Sequence, residues 1–200
     1  MRTFRLNSTA ITGALASLGA IIVALLVGAV VIAITGSDPV EAYRALFRGA
    51  FAGKRQFADT LIYTAPLLLG GLAFALAARA GMFNIGIEGQ LVVGGFAAAL
   101  VGAWDLGLPS AVYIPLALLA AAIAGGIWGF IPGFLKAKTG AHEVITTIML
   151  NYLAFRMITY LVLKRDDVLP VDPTTVATQR VVDAARLPRI LEGTRLHLGF

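Results

Sequence analysis

The sequence predicts an all-α fold: a polytopic transmembrane bundle of about five spans, with one broken or short helix near residues 81–90. Three observations carry this. Of the 200 residues, 58% are hydrophobic and only 14% are charged, against roughly 25% charged in soluble domains. The mean hydropathy is +0.85. The apolar residues also gather into runs of the length needed to cross a hydrocarbon core of about 30 Å, which takes about 20 residues at 1.5 Å rise. The whole chain, 1–200, reads as a single transmembrane domain.

The elements follow in order. Met1-Arg2-Thr3-Phe4-Arg5 precedes an uncharged run through Ile34, and Ala14 to Ile34 is span one. A cleavable signal peptide has an apolar region of about 7–15 residues and a small-x-small site. This run is longer and Ala33-Ile34-Thr35 is a poor site, so the reading is a retained anchor. Ser37-Asp38-Pro39-Val40-Glu41 carries helix-start signals: a capping Ser or Asp, then Pro and Glu in the first turn. Val40, Tyr43, Phe47, Ala50 and Phe51 recur at helical spacing, which predicts a short amphipathic helix on the membrane surface. Span two is Thr60 to Ala78, closed by Asp59 and Arg79.

Span three, Ile85 to Trp104, contains Glu88 near its start and is therefore expected to be broken or short. The uncharged run Gly107 to Leu135 holds span four, shaped by Pro109, Pro115 and Pro132. Span five is Val144 to Leu163. A polar segment from 164 to 195, with Pro170, Pro173 and Pro188, separates it from a new apolar run at Leu196 to Phe200. That run reads as the first turn of a further span, so the chain is expected to be the N-terminal part of a longer protein.

Several chemistries are excluded. There are no cysteines and two histidines, His142 and His197, which argues against a metal centre, and no cofactor is expected. Gly49 to Arg55 resembles a phosphate loop but has Arg48 at the first Gly position and Arg55 where Ser or Thr is required. His142-Glu143 opens like a zinc-protease helix, yet position 146 is Thr. There is no Gly-x-Ser-x-Gly elbow. The net charge of +5 sits beside apolar spans, which points to anionic lipid rather than nucleic acid.

Two polar constellations remain. Glu88 lies among Gly81, Gly86 and Gly89 between two apolar runs. An ionised Glu in hydrocarbon costs about 2.5–3.5 kcal/mol even on the gentlest insertion scales. Interrupted helices are tolerated there only where they line a cavity or are buried in protein. The segment is thus a candidate permeation or gating element; the bland alternative is a Glu satisfied by the broken backbone or placed at the headgroups. Glu143, Thr147 and Asn151 are four apart and share a helix face. Such a stripe suits either a watery path or an interhelix hydrogen-bond seam. Gly125, Gly129 and Gly133 are explained by close helix packing. Arg156, inside span five, can snorkel along its stem or meet an acid in the bundle.

Phe83-Asn84-Ile85-Gly86-Ile87-Glu88-Gly89-Gln90 and the stretch Gly140 to Tyr152, Gly-Ala-His-Glu-Val-Ile-Thr-Thr-Ile-Met-Leu-Asn-Tyr, resemble the permease subunits of bacterial ABC importers. The subgroup is the one handling nucleosides and simple sugars, related more distantly to ribose and branched-chain amino-acid permeases. The surface helix Pro39 to Phe51 and Thr64-Ala65-Pro66-Leu67 also fit. The resemblance implies a multi-pass subunit of the bacterial plasma (inner) membrane, without catalysis of its own. Its partners would be a cytoplasmic ATP-binding subunit, an extracytoplasmic solute-binding protein, and a second identical or related permease. Family members are longer, so the chain would correspond to the N-terminal half to two-thirds, without the ATPase-contacting loop.

Charge counting opposes the implied orientation. With the N-terminus inside, the inner side holds Arg2, Arg5, Arg79, Lys136 and Lys138, five cations, against ten in the outer loops. The short loops, with Arg2, Arg5, Lys136 and Lys138, favour it, and the resemblance places the N-terminus in the cytoplasm. For solute contact or gating, Asn84, Glu88, Gln90, Glu143 and Asn151 have the right chemistry, because amides and carboxylates hydrogen-bond ribose hydroxyls and base edges. A rival reading is an ion-coupled secondary transporter using Glu88 and Glu143. An intramembrane enzyme is disfavoured by the missing nucleophile–base sets.

Overall fold

The computed structural model describes residues 8–164, 171–172 and 177–199. Arg2 and Arg5 at the amino terminus, and Arg165, Pro170 and Pro173 of the polar segment, lie outside the described residues. The described chain is helical throughout its apolar runs: α1 (Ser8–Ile34), α2 (Pro39–Phe51), α3 (Lys54–Arg79), α4 (Ile87–Ala103), α5 (Ser110–Thr139) and α6 (Glu143–Lys164). A two-residue antiparallel ladder pairs Val171–Asp172 with Ala177–Thr178. Stretches of α1, α3, α5 and α6 are long and apolar enough to cross a membrane. The fifth apolar helix, α4, has 17 residues and is only about 26 Å long. The expected short helix is therefore α4, and the break precedes it. The contacts divide the chain into two compact units, one through Thr60 and the other from Leu61.

In the first unit, α1 is apolar on every side and exposes Leu18, Ile22, Leu26 and Val30, as a lipid-facing helix does. The start of α2 is capped by Asp38, whose carboxylate accepts the Val40 N–H at 2.8 Å. Pro39 and Glu41 occupy the first turn and Arg48 the last, matching the helix dipole at both ends. Its apolar stripe brings Phe47 and Phe51 within 6.4 Å. Tyr43 reaches back to α1, its hydroxyl donating to the Leu25 carbonyl at 2.6 Å.

In the second unit, α4 is the central helix, flanked by α5 and α6. Backbones approach closely on the α5 side. A Cβ on Gly94 would stand 2.9 Å from the Ala121 carbonyl oxygen, and one on Gly125 would stand 3.1 Å from that of Gln90. Glycine spacing in α5 thus serves packing, as small-residue seams do in membranes. Pro115 and Pro132 lie within α5 without ending it, and Pro132 is buried. At the far end of α4, the Tyr113 hydroxyl donates to the carbonyls of Val101 and Trp104. Residues 177–199 fold back there: Val182 N–H donates to Gly102 O at 2.8 Å.

Residues 196–199 do not begin a helix. Ile190 N–H donates to Leu196 O and Leu198 N–H to Pro188 O, so the backbone is satisfied in a bridge between Arg189 and His197. Leu196 is buried there and Leu198 is exposed.

Candidate functional site: a braced helix break

α3 ends in a motif that requires a left-handed residue. Gly81 has φ 74°, Gly81 N–H donates to Ala78 O, and Met82 N–H to Ala77 O at 2.9 Å. Glycine takes this conformation without a Cβ penalty. The chain then runs non-helical until α4 starts at Ile87. A helix start leaves its first N–H groups without intrahelical partners, and the cap residue Gly86 has no side chain to help. In a membrane such groups must find protein partners.

The N–H groups of Ile85, Gly86 and Gly89 find them in two amides and a hydroxyl. Asn84, 7% exposed, accepts the Gly86 N–H at 3.0 Å. It also exchanges two hydrogen bonds with Gln90: Asn84 Nδ2 donates to Gln90 Oε1 at 3.3 Å, and Gln90 Nε2 donates to Asn84 Oδ1 at 3.1 Å. From α6, Asn151 Oδ1 accepts the Gly89 N–H at 2.8 Å, while Asn151 Nδ2 donates to Ile85 O at 3.0 Å. Thr147, fully buried, accepts the Ile85 N–H at 3.3 Å and donates to Glu143 O at 2.7 Å. One residue on α6 therefore caps α4 from outside the helix.

This bracing needs contact between backbones. A Cβ on Gly89 would lie 2.8 Å from Asn151 Oδ1 and 3.0 Å from Asn151 Cα; one on Gly86 would lie 3.1 Å from Thr147 Cβ. The glycines that surround Glu88 in the sequence thus admit α6.

Glu143 begins α6 and pairs with Lys136 from the end of α5, Oε1 to Nζ at 2.8 Å. The same Nζ donates to Gly81 O at 2.6 Å. Glu88 differs from all of these. It is exposed in the first turn of α4 and has no hydrogen-bond or ion-pair partner among the described residues. It lines a cleft of about 590 Å³ together with Pro66, Gly70, Phe74 and Asn84. Phe74 and Phe83 lie 6.2 Å apart. Arg156 is exposed on α6, and no acidic partner for it occurs among the described residues.

The structure therefore brings together Asn84, Gln90 and Asn151, and Thr147 with them. Glu143 sits in a neighbouring ion pair and Glu88 faces the cleft. Lys136 escaped the sequence reading; the available signal was its position seven residues before Glu143 across Gly140, which turns the chain with φ 68°.

Comparisons with known proteins bear on the family. Residues 56–177 match the family described as the branched-chain amino acid transport system permease component. The chain is 43% identical over 183 residues to the guanosine ABC transporter permease protein NupP of Bacillus subtilis, covering 90% of this chain and 51% of that protein. It is 39% identical over 144 residues to the glucose ABC transporter permease protein TsgB13 of Haloferax volcanii, covering 70% of this chain and 37% of that protein. It is 37% identical over 143 residues to the nucleoside ABC transporter permease protein NupB of Lactococcus lactis, covering 72% and 39%. The chain thus spans about half the length of these relatives or less. No solved structure matches. With its matched region covering 56–177, this chain belongs to the branched-chain amino acid transport system permease family.

Proposed function

We propose that the chain is the membrane-spanning permease part of an ATP-driven importer that translocates a nucleoside or simple sugar. The observation that carries the reading is the braced break before α4 with one unpartnered carboxylate beside it, in a chain 43% identical to a guanosine permease. Hydrolysis of ATP belongs to a separate cytoplasmic subunit, and an extracytoplasmic binding protein delivers the solute. A second permease, identical or related, completes the pathway in the inner membrane. The N-terminus and the Lys136–Glu143 turn face the cytoplasm. Transport proceeds by alternating access, in which the partners bias two pre-existing conformations.

Within this reading the five polar residues divide. Glu88 meets the solute or gates its path. Asn84, Gln90 and Asn151 hold the segment that carries Glu88, because their polar groups are engaged with backbone or with each other. Glu143 belongs to a charge tie. The ion-coupled alternative needs two free carboxylates, and the engagement of Glu143 by Lys136 weighs against it.

The test is reconstitution. The complete transporter in proteoliposomes should take up a radiolabelled nucleoside or sugar only with ATP on the cytoplasmic face and the binding protein on the other. The permease alone should hydrolyse no ATP. Uptake driven by a proton or sodium gradient without an ATPase would sink the proposal.

A further inference from the structure

Lys136 joins three chain ends. Its ammonium lies 2.6 Å from the carbonyl of Gly81, at the end of α3, and 2.8 Å from the carboxylate of Glu143, at the start of α6. Lys136 itself stands in the last turn of α5. Each charge sits where helix dipoles favour it: the cation at the C-terminal ends of α3 and α5, the anion at the N-terminal end of α6. Gly81 lies two residues beyond Arg79, the last residue of α3, so its carbonyl belongs to the break itself.

The tie differs in kind from the braces beside it. Thr147 is fully buried and Asn84 nearly so, whereas the Lys136 side chain is 34% exposed and that of Glu143 16%. The pair is only partly covered by the chain, so opening it does not strand a charge inside the bundle, the condition that makes breaking a buried pair so costly. The broken segment is thus held in two unlike ways. Its Ile85–Gly89 end is fixed to α6 by buried amide and hydroxyl contacts. Its Gly81 end is held by a solvent-accessible charge.

We propose that Lys136 is a positioning residue of the break, a latch. Closed, it pins the Gly81 end of residues 81–86 to the α5–α6 turn; open, it lets that end move while Asn151 and Thr147 keep the other end docked. The movement would change access to the cleft that Glu88 lines. Only this last consequence rests on the permease reading.

The latch is tested without transport. In membranes holding the chain with a single cysteine at Met82→Cys, labelling by a water-soluble maleimide is followed against time. Lys136→Met keeps the aliphatic stem and removes the charge and donors. It should speed labelling about tenfold, the shift that loss of a charge-assisted hydrogen bond of about 1.4 kcal/mol gives. Lys136→Arg should restore slow labelling. The exchange Lys136→Glu with Glu143→Lys restores opposite charges but gives Gly81 O no donor from position 136, so it should label at an intermediate rate. Lys138→Met, two residues on in the same last turn with its side chain exposed, should change nothing.

Unchanged labelling in Lys136→Met overturns the latch. So does an equal rise at Ala98→Cys, far along α4, which would mean general loosening. Should Lys136→Met fail to fold, the exchanged pair decides: labelling as slow as the parent's would show that the Gly81 tie does nothing. In the complete transporter, Lys136→Met should cut the solute taken up per ATP hydrolysed several-fold. Altered labelling with normal coupling removes the gating role. An unaltered chain that transports nothing refutes the permease reading and leaves the labelling result standing.

Discussion

α4 meets its two neighbours by opposite means. Against α5 it presents glycine to backbone: Gly94 opposite Ala121, and Gln90 opposite Gly125 and Gly129. Against α6 it presents its own unpaired amides to side chains, Asn151 and Thr147, with the chain just before it. The first interface is set by shape alone, and the second by hydrogen bonds that the close fit of Gly86 and Gly89 permits. In lipid, helices gain little by hiding apolar surface from each other, since the tails are as apolar as leucine. Close packing and polar pairing are the remaining attractions, and α4 uses one on each side. A shape-fitted seam has no second arrangement at low cost. A hydrogen-bonded one can exchange partners. The Ile85–Gly89 part of the break is docked on α6 through side chains that can be removed singly, whereas the α4–α5 seam can be altered only by adding bulk.

The largest effect should come from the shape-fitted side. Gly94→Ala places a Cβ 2.9 Å from a backbone oxygen that belongs to a helix and cannot simply rotate away. Overpacking of this kind costs typically about 1–3 kcal/mol. Gly95→Ala, one residue on, meets nothing within 4 Å and should be neutral or stabilising, since alanine favours helix over glycine by up to about 1 kcal/mol. Thermal unfolding in detergent, followed by circular dichroism, should separate the two by several degrees. Equal midpoints would mean that α4 and α5 are not tightly seated.

A smaller loss should follow on the hydrogen-bonded side. Asn151→Ala leaves Gly89 N–H and Ile85 O without their partners. Interhelix hydrogen bonds in membranes average about 0.6 kcal/mol, so two lost bonds cost about 1 kcal/mol. Asn151→Asp retains the acceptor for Gly89 N–H but turns a carboxylate oxygen toward Ile85 O, so it should lose at least as much as Asn151→Ala. The same unfolding measurement orders the three proteins. Asn151→Ala as stable as the parent would show that α4 is not capped from α6.

How much of this was legible in the residues follows from the same contrast. The long apolar helices, the amphipathic α2 and the short α4 were legible, because length, hydropathy and capping residues act locally: Asp38, Pro39 and Glu41 start α2 wherever α2 lies. The stripe Glu143, Thr147, Asn151 was legible as a face, because helical spacing fixes it. What it faces was not. Asn151 can line a path or glue helices with the same spacing, and only the distance to Gly89 shows that its amide is engaged with backbone. Lys136 reads as an ordinary basic residue at a helix end, since the partners it joins lie 55 and seven positions away.

The smallest effect on stability, and the one that bears most on function, concerns Glu88. Its carboxylate has no partner among the described residues, so the fold loses little with it. What remains is its attraction to the N-terminal end of α4, worth about 0.3–1 kcal/mol at exposed positions. Glu88→Gln and Glu88→Ala should therefore unfold within a few degrees of the parent, in contrast to Gly94→Ala. Transport should tell them apart. Gln keeps the shape and a hydrogen-bonding group at the edge of the cleft, while Ala removes both. If Glu88 meets an uncharged solute by hydrogen bonding, Ala should depress uptake by the complete transporter far more than Gln, with assembly intact. If the carboxylate carries a proton or sodium ion, Gln should be as damaging as Ala, because neither side chain ionises. Normal uptake by both would assign the cleft to lipid or to another helix, leaving the break before α4 a structural joint with no solute beside it.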